Sequence, residues 1–202
     1  MLPNVSRSLQ VLRAHLPEGS LYTFGVLLGD PQRYTSSTDL KEECEMKAVV
    51  EGIYIAAKGS VAMARVEEVR AIEKGGLQGD RYKERTGYWT SYGDVCEVTL
   101  IEGEDLDEIE QETGINVKNG EHRRNIVTRG IKLRDLRGRL FRGKRFRIGE
   151  AVLEYDRPRP PCRHIRDLTE PGMTRALRRR GGICARVVEG GRISVRDEIV
   201  IL

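Results

Sequence analysis

A chain of 202 residues suits one domain with an appended segment and can bury a core without disulfide staples. One residue in three is charged and only 5% are aromatic. No apolar run approaches the ~20 residues that cross a bilayer, so no segment reads as a membrane-spanning helix. The formal net charge of +4 hides an asymmetry, because residues 121–202 carry 22 Lys and Arg against 10 Asp and Glu, whereas residues 1–120 carry 13 against 21. The positive field, which draws phosphates and other anions, therefore belongs to the C-terminal part.

Residues 6–16 place Leu9, Leu12 and Leu16 at helical spacing behind Ser6, and Pro17-Glu18-Gly19-Ser20 breaks that helix. Residues 1–46 as a whole read as an extension or lid-like appendage. From Ala48 the texture changes. Val49–Ala56 and Val61–Ile72 predict two strands around a Lys58-Gly59-Ser60 turn. The glycines of Gly75-Gly76-Leu77-Gln78-Gly79 suit positive φ or a close approach of ligand to backbone. Asp80 and Arg81, adjacent and opposite in charge, read as a structural pair. Residues 83–94 predict a mobile loop. Val95–Ile101 alternates as a strand with Cys96 on its packed face, and Glu104–Thr113 predicts a helix with acids in its first turn and Gly114 as its stop.

The stretch Arg123-Arg124-Asn125-Ile126-Val127-Thr128-Arg129 surrounds a β-branched core with three arginines. Strand alternation predicts that Arg123 and Arg124 point to opposite sides, one into a pocket and the other onto the surface. Short strands follow at Arg145–Ile148 and Ala151–Tyr155. A helix is expected from Thr169 or Pro171 to Arg180, closed by Gly181-Gly182. Ile183–Val188 and Ile193–Leu202 predict a closing hairpin around Glu189-Gly190-Gly191-Arg192. Many short strands with close turns predict a β-barrel or sandwich with a few short helices.

The most chemically loaded stretch is Arg157-Pro158-Arg159-Pro160-Pro161-Cys162-Arg163-His164. Three prolines remove three backbone donors and set the loop shape in advance. Nearby guanidinium groups favour the thiolate, which is both a nucleophile and a soft metal ligand. A buried structural thiol is the competing reading, since free cysteine is among the most buried residue types. Of the four cysteines, at 44, 96, 162 and 184, none forms a CxxC pair, and without an evident secretory signal reduced thiols in a cytoplasmic setting are expected.

Gly76-Leu77-Gln78-Gly79-Asp80-Arg81, Val98-Thr99-Leu100-Ile101, Arg123-Arg124-Asn125-Ile126-Val127-Thr128, Phe146-Arg147-Ile148-Gly149-Glu150-Ala151, Pro160-Pro161-Cys162-Arg163 and Gly181-Gly182-Ile183-Cys184-Ala185-Arg186-Val187 stand in an order and approximate spacing that resembles the MOSC domain, the C-terminal domain of molybdenum cofactor sulfurases. The resemblance covers roughly residues 47–202 and leaves residues 1–46 as an N-terminal extension. It implies a mainly β, MOSC-type β-barrel with a few short helices and one functional cysteine, which falls on Cys162. It further implies binding of the molybdenum cofactor (molybdopterin) or carriage of sulfur. In some stand-alone members it implies a part in reducing N-hydroxylated bases. Two positions depart from the family pattern: Tyr82 stands where many members carry histidine, and Arg196 stands where glycine is usual.

On this reading Cys162 is the catalytic residue and metal ligand. Arg123, Arg124, Asn125, Arg129, Arg163 and His164 are candidates to hold the cofactor's phosphate, since guanidinium grips phosphate in bidentate fashion. Gly79 and Asp80 bring the glycine-rich loop to the same ligand, and His164 is a candidate proton donor. The partners implied are a pyridoxal-phosphate-dependent cysteine desulfurase or a cofactor-delivery protein, and separate electron-transfer proteins, because no flavin or iron–sulfur motif is visible. The alternative is a non-enzymatic nucleic-acid-binding barrel using the basic C-terminal half. Against it, that half interleaves only Tyr155, Phe141 and Phe146 with its cations, too few for a stacking platform. A zinc site from Cys162, His164 and Cys184 lacks the usual two-residue spacing.

Overall fold

The computed structural model describes residues 47–138 and 143–202. The expected helix over residues 6–16 and the lid-like reading of residues 1–46 lie outside the described residues. Eleven strands form among those described: β1 (Val49–Ile55), β2 (Ala64–Val66), β3 (Glu68–Ile72), β4 (Gly76–Leu77), β5 (Val98–Glu102), β6 (Ile126–Arg129), β7 (Arg145–Ile148), β8 (Ala151–Pro158), β9 (Ile183–Glu189), β10 (Gly191–Ser194) and β11 (Ile199–Ile201). Three α-helices accompany them, α1 (Gly103–Thr113), α2 (Arg163–Leu168) and α3 (Met173–Ala176).

Eight strands make one sheet in the order β11-β7-β8-β9-β5-β6-β1-β2, antiparallel except for the β5–β6 pair, and β10-β3-β4 form a second sheet. The large sheet curls without closing into a continuous barrel ladder. Its edge strand β11 nonetheless comes up against the start of β1, because Ile199 N donates to Ala48 O (2.7 Å) and Val50 N donates to Asp197 O (2.9 Å).

Why the middle strands read as unbroken apolar runs follows from burial on both faces. Successive residues of a strand point to opposite sides. Ile53 of β1, Leu100 of β5 and Ile126 of β6 enter one core with Phe146, Leu153 and Val187. Their neighbours Tyr54, Ile101 and Val127 enter a second core with Leu106 and Ile109 of α1, Ile165 of α2 and Met173 of α3. Helix α1 ends as expected, with Gly114 left-handed at φ 68°.

Three expectations are corrected. The run Val61–Ile72 is not one strand: β2 pairs with β1, while β3 turns away to pair with β10 and β4. The closing hairpin does not form, because β9 has both edges taken by β8 and β5, so β10 crosses to the small sheet and β11 to β7. The helix over 169–180 contracts to α3. Beyond it the chain tightens into i→i+3 bonds from Arg178 N to Arg175 O and from Arg180 N to Leu177 O (3.1 Å each). Arg179 then takes a left-handed φ of 69°.

Arg196 also adopts the left-handed region, at φ 75°, while its N–H donates to Val50 O (2.8 Å). A side chain there costs about 1–2 kcal/mol, partly offset by the extra unfolded-state entropy of a glycine. Arg196→Gly is therefore expected to raise the thermal midpoint by roughly 1–3 °C in calorimetry, about 0.5–1 kcal/mol. A lower midpoint would show that the arginine side chain contributes more than its backbone costs.

Candidate functional site

The loops after β1 and β4, the one before β6 and the one after β8 meet around a narrow pocket, with about 40 Å3 of free space, lined by Arg81, Tyr82, Tyr88, Trp89, Asp94, Arg123, Arg124, Arg159, Cys162 and His164, with Gly59. Its construction starts from Asp80. Gly79, at φ 76°, turns the chain and leaves the Asp80 carboxylate fully buried. One oxygen accepts from Ala56 N (3.1 Å) and pairs with Arg81 Nη1 (3.0 Å); the other accepts from Tyr82 N (3.1 Å). Held in this way, Arg81 lies 4.5 Å from the centroid of the Tyr82 ring and donates through Nη2 to Arg123 O (3.1 Å). Asp80 and Gly79 thus position Arg81 without lining the pocket themselves.

Arg123 has φ 59°, so it is not strand. The alternation expected for Arg123 and Arg124 is lost, and both side chains line the same pocket. Arg123 donates to Gly59 O (2.6 Å) and to Val61 O. Arg124, buried, donates to Gly181 O (2.7 Å), His122 O (3.0 Å) and Arg159 O (3.3 Å). Among the described residues neither guanidinium has a carboxylate partner. Burial pushes each down to about 10, with neighbouring arginines adding to the effect, so both stay cationic at neutral pH while lacking an anion. The other two pocket arginines are paired, Arg81 with Asp80 and Arg159 with Asp94 (2.8 Å). Asp94 also receives Arg157. Arg159 Nη2 donates to the hydroxyl of Tyr82 (3.2 Å), whose own titration burial pushes upward.

Cys162 is half-buried at the residue preceding α2, where its side chain makes no capping bond. It lies in the wall between this pocket and an adjoining groove of about 660 Å3 that carries Trp89, Tyr92, Arg157 and Pro158 to Pro161. His164 stacks on Tyr88 with ring centroids 3.7 Å apart, and its Nε2 lies 3.0 Å from Gly59 O. A carbonyl can only accept, so Nε2 holds its proton there and is committed to the backbone rather than free to donate into the pocket. Gly59 is glycine for steric reasons: a Cβ would sit 2.4 Å from Tyr88 N.

Three sequence candidates stand apart. Asn125 is buried between strands, its Oδ1 accepting from Thr99 Oγ1 (2.8 Å) and its Nδ2 donating to Tyr54 O (3.1 Å). The polar stitching of β1, β5 and β6 occupies its side chain. Arg129 is taken by Glu51 and Asp107 (2.6 Å each). Arg163 has an 80% exposed side chain facing Asp167. None of the three lines the pocket. Conversely, sequence reasoning left out Arg81 as a binding residue, and also Tyr88, Trp89 and Asp94. The available signal was the i, i+2 spacing of Arg157 and Arg159, which turns both toward one acid. Among the described residues no three His, Cys, Asp or Glu side chains gather into a metal cluster, so the zinc set is not assembled. No helix among them is long and apolar enough to cross a membrane.

Behind the arginines lies His122, fully buried, with Nδ1 accepting from Arg124 N (3.0 Å). Burial, reinforced by Arg124, Arg81 and Arg123, pulls its pKa down to about 3. The unfolded chain binds a proton near pH 6.5 that the folded chain refuses. His122 therefore takes stability away as pH falls from about 6.5 toward 3, at up to ~1.4 kcal/mol per pH unit. Urea unfolding across that range should show this slope, and His122→Asn should flatten it. An unchanged slope in the variant would assign the acid sensitivity elsewhere.

The model of the MOSC domain matches residues 87–200. Among solved structures, the YuaD protein of Bacillus subtilis superposes with TM-score 0.61 at 20% identity over 77% of this chain and 96% of that one. YiiM of Geobacillus stearothermophilus gives 0.56 at 17% over 77% and 75%, and YiiM of Escherichia coli 0.51 at 19% over 78% and 70%. Curated protein sequences give no match. The structural likenesses establish the fold, mainly β with a few short helices, and the family match runs through β5 to β11 with the loop of Cys162 inside it: the chain belongs to the MOSC domain family.

Proposed function

We propose that the arginine-lined pocket and the groove that shares Cys162 with it together bind the molybdenum cofactor, the body of the cofactor in the groove, Arg123 and Arg124 drawing its phosphate into the pocket, and the Cys162 thiolate as the protein ligand of the metal. We further propose that the chain is the molybdenum-bearing component of a reductase for N-hydroxylated compounds. The observation that carries this reading is that two guanidinium groups without carboxylate partners line the same pocket as a half-buried cysteine. The donor set fits the group, since guanidinium matches phosphate geometry and a thiolate is a soft ligand. When bound, the cofactor supplies the redox centre.

The chain's own residues do the rest. Arg123 and Arg124, held in place by bonds to backbone carbonyls, offer their positive charge and the N–H groups those bonds leave over, and Arg81 is oriented by Asp80. Asp94 fixes Arg157 and Arg159 along the loop leading to Cys162. Tyr88 and Trp89 form an aromatic part of the pocket's lining. Tyr82, at the family's histidine position, cannot exchange protons near neutrality as an imidazole does, because its pKa is raised further by burial. It serves here to orient Arg159. Electrons come from separate partner proteins, and a cofactor-delivery protein or a cysteine desulfurase meets the chain at the groove beside Cys162.

The carrier alternative, in which Cys162 holds transferable sulfur, is separated by mass spectrometry after incubation with a cysteine desulfurase and cysteine. The ligand reading expects Cys162 without added sulfur and reduction of an N-hydroxylated amidine once electron donors are supplied. Stoichiometric persulfide on Cys162 with no reduction would overturn it in favour of sulfur carriage.

A further inference from the structure

Cys96 and Cys184 take no part in the chemistry above, yet they are placed together. Cys184 lies on β9, opposite Arg157 of β8 on one side and Thr99 of β5 on the other. Cys96 sits just before β5, two residues after Asp94. Their Sγ atoms, from residues 88 apart in sequence, are 2.9 Å apart, and both thiols are buried and free. That separation is closer than the roughly 3.5–4.0 Å at which even carbon atoms of neighbouring side chains rest. It exceeds a disulfide bond of about 2.05 Å by less than 1 Å. Cys96 also forms part of a surface groove with Lys83, Asp94, Val95 and Glu97, which gives a small oxidant a route to the pair.

We propose that Cys96 and Cys184 are a redox-modification site that closes to a disulfide under mild peroxide and reopens with a thiol reductant. One cysteine, as thiolate, attacks a peroxide oxygen; the O–O bond breaks, and the departing hydroxide takes up a proton to leave water and a sulfenic acid. The sulfur of the second cysteine then attacks the sulfenic sulfur, loses its proton and displaces a second water. Two thiols and one hydrogen peroxide give one disulfide and two waters, the sulfurs losing two electrons and the peroxide gaining them. The Cys96 thiol directed at Cys184, with Arg159 and Arg157 beside it, favours the Cys184 thiolate. Because Arg157 pairs with Cys184 across the ladder and Asp94 is two residues from Cys96, the bond would clamp the acid and the arginine that shape the wall of the Cys162 pocket. This site stands independently of whether the pocket holds the molybdenum cofactor.

The test uses the full reduced chain treated with hydrogen peroxide, blocked with a thiol reagent in denaturant, digested and weighed by mass spectrometry. The expected result is a cross-linked pair of peptides carrying Cys96 and Cys184, released by dithiothreitol, with Cys162 blocked by the reagent. The oxidised chain should melt about 5–10 °C higher than the reduced one, since the bond closes a long loop. Cys96→Ser should lose both the cross-link and the shift. Full blocking of Cys96 and Cys184 after peroxide, or a cross-link that joins Cys162 to either, would overturn the proposal, and the wild-type digest decides even if a variant fails to fold.

Discussion

Arg124→Ala is expected to cost about 3–5 kcal/mol of folding stability, among the largest single-residue effects on this chain. The guanidinium is buried and ties together carbonyls from three loops, those of His122, Arg159 and Gly181. Deleting it leaves those acceptors buried without donors and opens a void beside His122, whose Nε2 already has no partner. Arg124→Lys keeps the charge but cannot present donors in three directions from one plane, so it should recover only part of the loss. Chemical unfolding of the two variants beside the wild type measures this directly. A cost under about 1 kcal/mol for the alanine variant would mean that the loops hold their places without the arginine.

On the proposed function, Cys162→Ala is the opposite case, with a large expected effect on chemistry and a small one on folding. The thiol is half-buried and forms no capping bond, and it packs only at the margin of the second core. Stability should therefore change by less than about 1 kcal/mol. Loss of even an outer-shell partner typically costs a metal site 10–100-fold, so loss of the ligand itself should lower retained molybdenum and reductase activity by at least about a hundredfold. The paired readout separates the roles: an equal thermal midpoint with activity lost fits a ligand, whereas a midpoint lowered by many degrees with activity kept would make Cys162 a packing residue.

How far these features were legible in the chain depended on the range of the interaction that creates them. The strands over Val49–Ile55 and Ala151–Tyr155 and the helix Gly103–Thr113 announce themselves because local periodicity and the Gly114 stop are decided within a dozen residues, whereas the run of β8 on to Pro158, into the stretch expected to be loop, does not. Pairing partners are decided at long range. Glu189 to Arg192 is a sound turn locally, but the competition of β8 and β5 for β9 rules out the hairpin. Prolines and arginines single out Cys162 in the sequence, and the structure places it on a pocket wall. The company it keeps was only half legible: Arg123 and Arg124 fall in the pocket together because one left-handed residue breaks the alternation, and no local pattern marks an arginine for that conformation. Arg129 and Asn125 look like ligand residues by type, yet Glu51, Asp107, Thr99 and Tyr54 occupy them, all distant in sequence. The same distance hides Cys96 from Cys184.

The charge surplus of residues 121–202 also takes on a more specific meaning. Much of it is neutralised locally, as in the pairs of Arg145 and Arg186 with Glu154 and of Arg180 with Glu112. The unbalanced cations at the pocket are Arg123 and Arg124, set inside a cavity rather than along an open face. That arrangement favours a compact anion over a nucleic-acid strand, which would need a continuous basic track.

The most direct test of a molybdenum-cofactor site is the molybdenum and pterin content of the chain purified from cells that make the cofactor. The expected result is both, in near-equal amounts in the wild type, with molybdenum lost from Cys162→Ala. A folded wild-type chain that carries neither metal nor pterin would contradict the account.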